Sequence, residues 1–458
     1  MRVLVIGAGF AGLSAATALA ARGYPVRVLD AADEVGGKAH AIDAADARVD
    51  LGPTILADLE PLRRLFAASR TTLEQAVSLV RLDPALVATF AGGAVLPLHA
   101  DPGAMARALE ALGPFARDDW DRVLALGARA ARLGAHYYAR GDVGGPGDLL
   151  RFMLGGHARL DDVVSFVRRP SLASLLDAHV RTPELRRLLD HCARFLGVDA
   201  DRAPAVALVI PHLFATTGIW YPLGGIATLA RAVRDLAAKH GAEIETGTAV
   251  ARLELAGHHV AAAITADGRR IPADACIAAV DARISARWLA ADAAPLRDEP
   301  TYAARVAWWV VEGTPRRAIH HAFHFASEPE HPVYLAVPTV TDPTLAPEGT
   351  SVIHVLLHGR PGAQADRAFA DEVRTRLVRA AAWPTGRVLA HGVAGGAESC
   401  YGGAIGPGLF AAFRPSQRVP GVANLLRAGG SVFPGPGLAN VIRSGLRAAD
   451  LICGGACS

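Results

Sequence analysis

The feature that most constrains this chain is a glycine series near its start. Gly7-Ala8-Gly9-Phe10-Ala11-Gly12 follows an apolar stretch, residues 2–6, and runs into a small-residue stretch, residues 13–22. The first stretch reads as a buried parallel strand and the second as a helix. Residues 25–30 read as the next strand, which together makes a βαβ unit. In such a unit Gly7 permits the tight turn, Gly9 lets backbone approach a pyrophosphate, and Gly12 lets helix pack close to strand. The helix N-terminus then faces phosphate charge. Asp30 closes the second strand, where a carboxylate can accept both ribose hydroxyls, which favours a nucleotide without a 2′-phosphate. A secretory leader would also be apolar here, but it has no use for three glycines at this spacing or for the second strand.

The residues after Asp30 point to the kind of nucleotide. Asp33-Glu34-Val35-Gly36-Gly37-Lys38 offers two successive bare amides followed by a cation, which suits a second segment lying along a diphosphate. An NAD enzyme has no need of it, so FAD is the expected cofactor.

At 458 residues the chain exceeds a single core, and two units are expected that need not be contiguous. From residue 61 to about 180 the sequence reads as Arg- and Leu-rich helices, including 118–140, broken by the Gly/Pro cluster 141–147. Residues 171–196 continue helical, 221–225 read as a turn and 226–240 as a helix. Strand-like text returns at 242–246, 249–255, 260–265, 270–272 and 276–280, then at 302–312, 332–338 and 351–358. An amphipathic helix is expected at 363–382. The chain closes with a strand at 424–428, a Gly/Pro loop at 429–437 and a helix at 439–452. The expected fold is α/β, a Rossmann-like FAD-binding domain made of 1–60, 225–290 and 420–455. A discontinuous α+β substrate domain with a helical insertion takes 61–224 and 291–419.

Composition excludes several functions. A net charge of +3 over this length, with no basic run carrying interleaved aromatics, argues against nucleic acid. The cysteines Cys192, Cys276, Cys400, Cys453 and Cys457 are odd in number and lack paired spacing for zinc, so a reduced cytoplasmic protein without a metal site is expected. With 51% hydrophobic and 20% charged residues, some apolar surface is left to serve a greasy ligand. No run is long enough to span a bilayer. Leu149–Leu154, with Phe152, Met153 and the flanking Arg151 and Arg159, is a candidate for peripheral contact with the inner face of a membrane, against the plainer reading of a core-facing helix.

Together with Val49-Asp50-Leu51-Gly52-Pro53-Thr54, the two glycine segments resemble the phytoene-desaturase-like family of FAD-dependent carotenoid and polyene enzymes. Trp220-Tyr221-Pro222-Leu223-Gly224-Gly225 and the tail 428–437, Ala-Gly-Gly-Ser-Val-Phe-Pro-Gly-Pro-Gly, carry the resemblance across the chain. Tyr401-Gly402-Gly403 and the Gly-Pro-Gly of the tail look most like the bacterial hydroxyneurosporene and methoxyneurosporene desaturases. The chain departs from many relatives at Asp30 (Glu), Lys38 (Arg) and Phe433 (His). The first two keep charge, whereas the third changes what the tail presents.

The resemblance implies FAD contacts at Gly7, Gly9, Phe10, Ala11 and Gly12, at Asp30, and along Gly36, Gly37 and Lys38. It adds Gly52, Pro53 and Thr54, the Val250 backbone at adenine, Gly430 and Ser431 at the diphosphate and ribityl chain, and Gly437 and Leu438 at the pyrimidine edge. It also implies desaturation of an acyclic carotenoid-like substrate by hydride transfer to the flavin with loss of a vicinal proton. No nucleophile triad is present. His320 and His321 are the weak candidates for catalytic side chains, against the plainer reading of partly buried structural or ligand-lining histidines. Trp220, Trp308 and Trp309 suggest an apolar tunnel or an ordinary core. An amine oxidase, an isomerase or saturase, and a flavin-free lipid escort protein stand as alternatives. Degraded phosphate loops would mark the last, and these are intact.

Overall fold

The computed structural model describes residues 1–140, 160–289, 299–316, 318–325, 332–396, 403–404 and 414–454. The candidate membrane-contact segment 149–159 and the Tyr401-Gly402 pair lie outside them. No helix among the described residues is long and apolar enough to cross a membrane.

A five-stranded sheet gathers strands from three distant parts of the chain. Its order is Leu425–Arg427, Ala275–Ala278, Val3–Ile6, Val26–Leu29 and Glu243–Glu245, and every neighbouring pair is parallel. Two of its central strands, Val3–Ile6 and Ala275–Ala278, read as unbroken apolar runs because both faces are covered. On one face lie the helices Phe10–Ala20, Ile226–Lys239 and Leu438–Ile452. The first is buried on every side, which suits a helix made of Ala, Gly, Ser and Leu. Small residues let its neighbour come close: a methyl added at Gly445 of the tail helix would lie 2.1 Å from the Ala11 carbonyl oxygen. The other face carries the antiparallel meander Val250–Ala256, His259–Thr265 and Arg270–Pro272.

The second sheet has seven strands, ordered Val388–Gly395, Ala303–Glu312, Thr350–Gly359, Val333–Ala336, His321–Phe325, Leu86–Phe90 and Val95–Leu98. All its pairings are antiparallel except that of His321–Phe325 with Leu86–Phe90. One face packs on the helix Arg367–Arg379. The other meets the hairpin Ala41–Ala44 and Ala47–Asp50 at one end and the helical insertion at the other.

The expected two-part α/β architecture is present, with local differences. The region read as helical from residue 61 contains the strands Leu79–Leu82, Leu86–Phe90 and Val95–Leu98. Alternation of Leu86, Ala88 and Phe90 toward the core, and the Gly92-Gly93 turn with both φ near +90°, give the strand period that Leu and Arg content obscured. Tyr221 and Pro222 end the strand Ile219–Pro222, paired with Leu79–Leu82, so only Leu223–Gly225 turn. The first helix begins at Phe10, inside the glycine series.

Within the insertion, Asp119 on the helix Ala116–Arg140 is fully buried. Its Oδ2 accepts the Arg181 and Thr182 amides at 2.8 and 2.9 Å and the Thr182 hydroxyl at 2.9 Å, fastening the start of the helix Pro183–His191. Burial pushes its carboxyl up, but these hydrogen bonds and Arg181 outweigh it, and the carboxyl ends below its ordinary range. Asp119→Ala strands three donors and is expected to cost about 3 kcal/mol in denaturant unfolding at neutral pH. A lowered folded-state pKa contributes stability that is present above the unfolded value, about 3.9, and is lost as pH falls through the folded one. The gap between wild type and Asp119→Asn should therefore close on acidification.

Candidate active site

Because the first sheet is parallel, the segments that leave its strands meet along one edge, the place where open α/β sheets bind ligands. Gly7, Asp30, Ala279 and Ala428 all lie there, each directly after its strand. Gly7 has φ +107°, and a methyl on it would lie 2.6 Å from the Ala279 carbonyl oxygen. A methyl on Gly12 would lie 1.9 Å from the Gly7 carbonyl oxygen. Gly9 differs from both. Its backbone is extended, with φ −74°, and a methyl there would come no closer than 3.9 Å to any atom.

The second glycine segment lies against the first. The Gly36 amide donates to the Ala8 carbonyl at 2.9 Å, and Gly9 and Gly36 form an isolated parallel bridge. Gly36 and Gly37 both have positive φ, +117° and +58°, conformations open to glycine alone at little cost. Gly52 fits under Lys38: a methyl on it would lie 2.1 Å from the Lys38 carbonyl oxygen. The tail contributes Gly429 and Gly437, with φ +122° and +102° and no atom within 4 Å of an added methyl. Gly437 precedes the helix Leu438–Ile452 without a side-chain cap, which leaves amides of the first turn for another acceptor.

Asp30 accepts the Ala8 amide at 2.5 Å and the Ala32 amide at 2.8 Å. Each carboxylate oxygen keeps a further lone pair for a hydroxyl. Ser431 is committed elsewhere: its Oγ accepts the Ala282 amide at 2.9 Å, at the start of the helix Ala282–Arg287. Val250 opens its strand half-buried. A dinucleotide fits these residues, since Gly9, Gly429 and Gly437 leave side-chain-free space at one sheet edge beside two helix N-termini.

From Asp50 the chain leads into the second sheet. Thr54 Oγ1 hydrogen-bonds the Tyr334 hydroxyl, and that hydroxyl bonds His321 Nδ1 at 2.8 Å. His320 Nδ1 is 2.7 Å from Thr341 Oγ1, and its ring lies 4.4 Å from that of Tyr221. Asp50, Thr54, Tyr221, His320 and His354 line one small pocket over Ala336, Pro338 and Val352. Burial pushes His320 and His354 down to about 4 and His321 well below its ordinary value, so at neutral pH these imidazoles are uncharged. Burial likewise raises the Tyr221 and Tyr334 phenols and the Asp50 carboxyl. Further along the same sheet face, Leu86, Trp120, Leu188, Phe195, Phe214 and Phe323 enclose an apolar pocket.

The sequence profile described as flavin containing amine oxidoreductase matches residues 10–453. The chain belongs to that family. It is 30% identical to a phytoene dehydrogenase of Streptomyces griseus over 99% of this chain and 95% of that one. A 4,4'-diapolycopene oxygenase of a Methylomonas species is 28% identical over 98% of each chain. Among solved structures, an oxidoreductase from Methanosarcina mazei, 16% identical, aligns over 98% of this chain and 99% of its own with a TM-score of 0.67, a likeness of fold. This flavin containing amine oxidoreductase is an FAD-dependent enzyme of the carotenoid desaturase-like group.

In this enzyme the glycine segments and Asp30 gather at one edge, and Gly52, Pro53 and Thr54 lead from there to the second sheet. The tryptophans separate: Trp308 shares the pocket-side face with His354, whereas Trp309 packs on Trp383 at 5.2 Å on the opposite face and Trp220 hydrogen-bonds Thr217. Among the described residues no group of three potential ligands could hold a metal ion. Sequence reasoning overlooked Asp50, Tyr334 and His354 as side chains of the site. For His354 a signal existed, since Val352, His354, Leu356 and His358 alternate along one strand face that an ordinary core would make wholly apolar.

Proposed function

We propose that this enzyme desaturates a long hydrophobic polyene, an acyclic carotenoid, and that its FAD lies along the glycine edge. Gly7, Gly9, Phe10, Ala11 and Gly12 would face the pyrophosphate, Asp30 the ribose, and Gly36, Gly37 and Lys38 the diphosphate. Val250 would meet adenine, and Gly430 the ribityl chain. The side chain of Ser431, held by Ala282, leaves its backbone for that task. Gly437 and Leu438, opening a helix, would stabilise charge at the pyrimidine edge. Gly52, Pro53 and Thr54 would carry the flavin toward the second sheet. When bound, FAD supplies the hydride acceptor.

The observation that carries this reading is the apolar wall around Phe323, where aromatic and aliphatic side chains surround a small void on the same sheet face as the Thr54 contact, and a polyene would have to widen that void to enter. The residues' task is then positioning: aromatic and aliphatic walls hold a hydrocarbon, exclude water and bring a saturated bond to the flavin side. The names of the curated relatives, which act on carotenoid chains, support the same class. The hydroxyneurosporene-type substrate remains the finer form of the proposal, together with peripheral attachment to a membrane that would supply such a lipid.

Expression in cells that accumulate different acyclic carotenoids tests it. New pigments lighter by two hydrogens for each double bond formed are expected in the mass spectra. Pigment profiles left unchanged with every precursor would overturn the reading. Asp30→Ala in the same cells should abolish the change and yield protein with little FAD, because the charged acceptor and two loop hydrogen bonds go together.

A further inference from the structure

A buried polar atom without a partner costs about 1–3 kcal/mol, so several in one place call for an occupant or a task. In the pocket beside Thr54, Asp50 Oδ1 and both ring nitrogens of His354 are buried with no hydrogen-bond partner. Asp50 stands on one wall. Its Oδ2 accepts the Ile226 amide at 2.7 Å, and a methyl on Gly225 would lie 2.3 Å from that oxygen, so the carboxylate is held in one orientation. His354 stands on the sheet. It pairs in register with Ala336, which pairs in turn with His321, and Ala336 lines the same small pocket as His354. His321 is already engaged through Nδ1 by Tyr334, and His320 by Thr341. His354 is therefore the imidazole of the cluster that no other side chain engages, its own backbone being the polar group that bears on the ring.

We propose that His354 is the proton acceptor of the desaturation and that Asp50 is the positioning carboxylate that balances the charge it gains, an inference resting on the polyene reading above. One C–H bond of the substrate gives its hydrogen and electron pair to oxidised FAD. The vicinal C–H bond then breaks, its electron pair becomes the new π bond, and its proton goes to a ring nitrogen of His354. Bound FAD would supply the acceptor of the two electrons, and the balance would close with the substrate short of two hydrogens. A carbon beside an electron-deficient allylic centre is strongly acidic, so a weak base suffices. Burial keeps His354 in its neutral, accepting form at physiological pH. The other titratable groups around it are suited to this. His320 and His321 are neutral for the same reason, the Tyr221 and Tyr334 phenols are protonated, and Asp342 is engaged by the Gly224 amide at 2.6 Å.

The test mixes FAD-loaded protein anaerobically with an acyclic carotenoid in micelles and follows flavin bleaching and the new polyene absorbance. H354Q is expected to form the double bond about 100-fold or more slowly while retaining FAD. With substrate deuterated at the carbon that loses its proton, the isotope effect on double-bond formation should rise in H354Q and in D50N. Loosened packing would slow the reaction without that added sensitivity. Wild-type rates in H354Q, or slowing without a rise in the isotope effect, would overturn the assignment. If H354Q does not fold, D50N carries the isotope test. A wild-type protein that bleaches with no acyclic carotenoid removes the polyene reading and this proposal with it, whereas bleaching with unaffected variants removes this proposal alone.

Discussion

Gly12→Val is expected to yield protein that neither folds stably nor binds FAD, whereas Gly9→Val is expected to fold and lose FAD alone. The two glycines stand three residues apart, Gly9 just before the first helix and Gly12 within its first turn, and the structure gives them different surroundings. At Gly12 a first side-chain carbon would sit 1.9 Å from the Gly7 carbonyl oxygen and 3.1 Å from Ala279 Cβ. The oxygen is backbone in a turn already at positive φ, so relief requires moving the helix Phe10–Ala20 off its strand. That helix is buried on all sides and packs against the tail helix, so the shift would spread through the core around both. Overpacking of this kind costs about 1–3 kcal/mol for added methylenes and more where backbone must move. At Gly9 the backbone is extended and an added first side-chain carbon comes no closer than 3.9 Å to any atom, so that carbon meets nothing that resists it. Thermal unfolding of the cofactor-free proteins should place Gly9→Val near wild type and Gly12→Val far below. FAD content after reconstitution should be low in both. A Gly9→Val protein that retains full FAD would mean that the open space beside this glycine is not the cofactor's.

The same contrast shows what could be read from the sequence and what could not. The βαβ unit was legible because its chemistry is local: strand, glycine turn, helix and Asp30 follow one another within thirty residues. The pairing of Leu425–Arg427 with Ala275–Ala278 was visible only as matching strand signals separated by more than a hundred residues. The second sheet was less legible. Leu86–Phe90 and Val95–Leu98 sit among helices, and their neighbours in the sheet come from residues beyond 300. Periodicity within the segment could suggest a strand, but no local rule says which distant strand it joins. The polar pocket was least legible of all. Asp50, Thr54, Tyr221, His320 and His354 come from four segments, and the burial that keeps the imidazoles neutral arises only when those segments meet. His320 and His321 stood out as a doublet, whereas His354 stood alone in apolar strand text. Its significance lies in having no partner, which a sequence does not record.

Phe433→Ala is expected to be the most destabilising substitution in the tail, and Phe433→His a smaller loss. The family resemblance implies histidine at this position, and Phe433 presents a different side chain there. The ring is 2% exposed. The Tyr137 ring meets it edge-on at 4.7 Å, and the Arg447 guanidinium lies 5.3 Å from its centre. Its backbone is tied as well, since the Phe433 amide donates to Pro415 at 3.0 Å and its carbonyl accepts the Ser444 hydroxyl at 2.8 Å. Ser444 Oγ also accepts the Gly429 amide at 3.0 Å, so packing at Phe433 and the course of the glycine loop are coupled through one hydroxyl. Removing the ring leaves a cavity between the insertion and the tail, which costs about 3–5 kcal/mol for a buried phenylalanine. Histidine keeps a flat ring of smaller area and loses part of the aromatic contact, about 1 kcal/mol, with a further penalty for a ring nitrogen left without a partner. Unfolding midpoints of the two variants would rank these effects, and FAD dissociation constants would show whether they reach the loop. If Phe433 packs the tail rather than facing the cofactor, Phe433→His should bind FAD as wild type does, while Phe433→Ala should weaken it in step with its loss of stability. FAD affinity that changes sharply in Phe433→His with no change in stability would instead place the ring against the flavin.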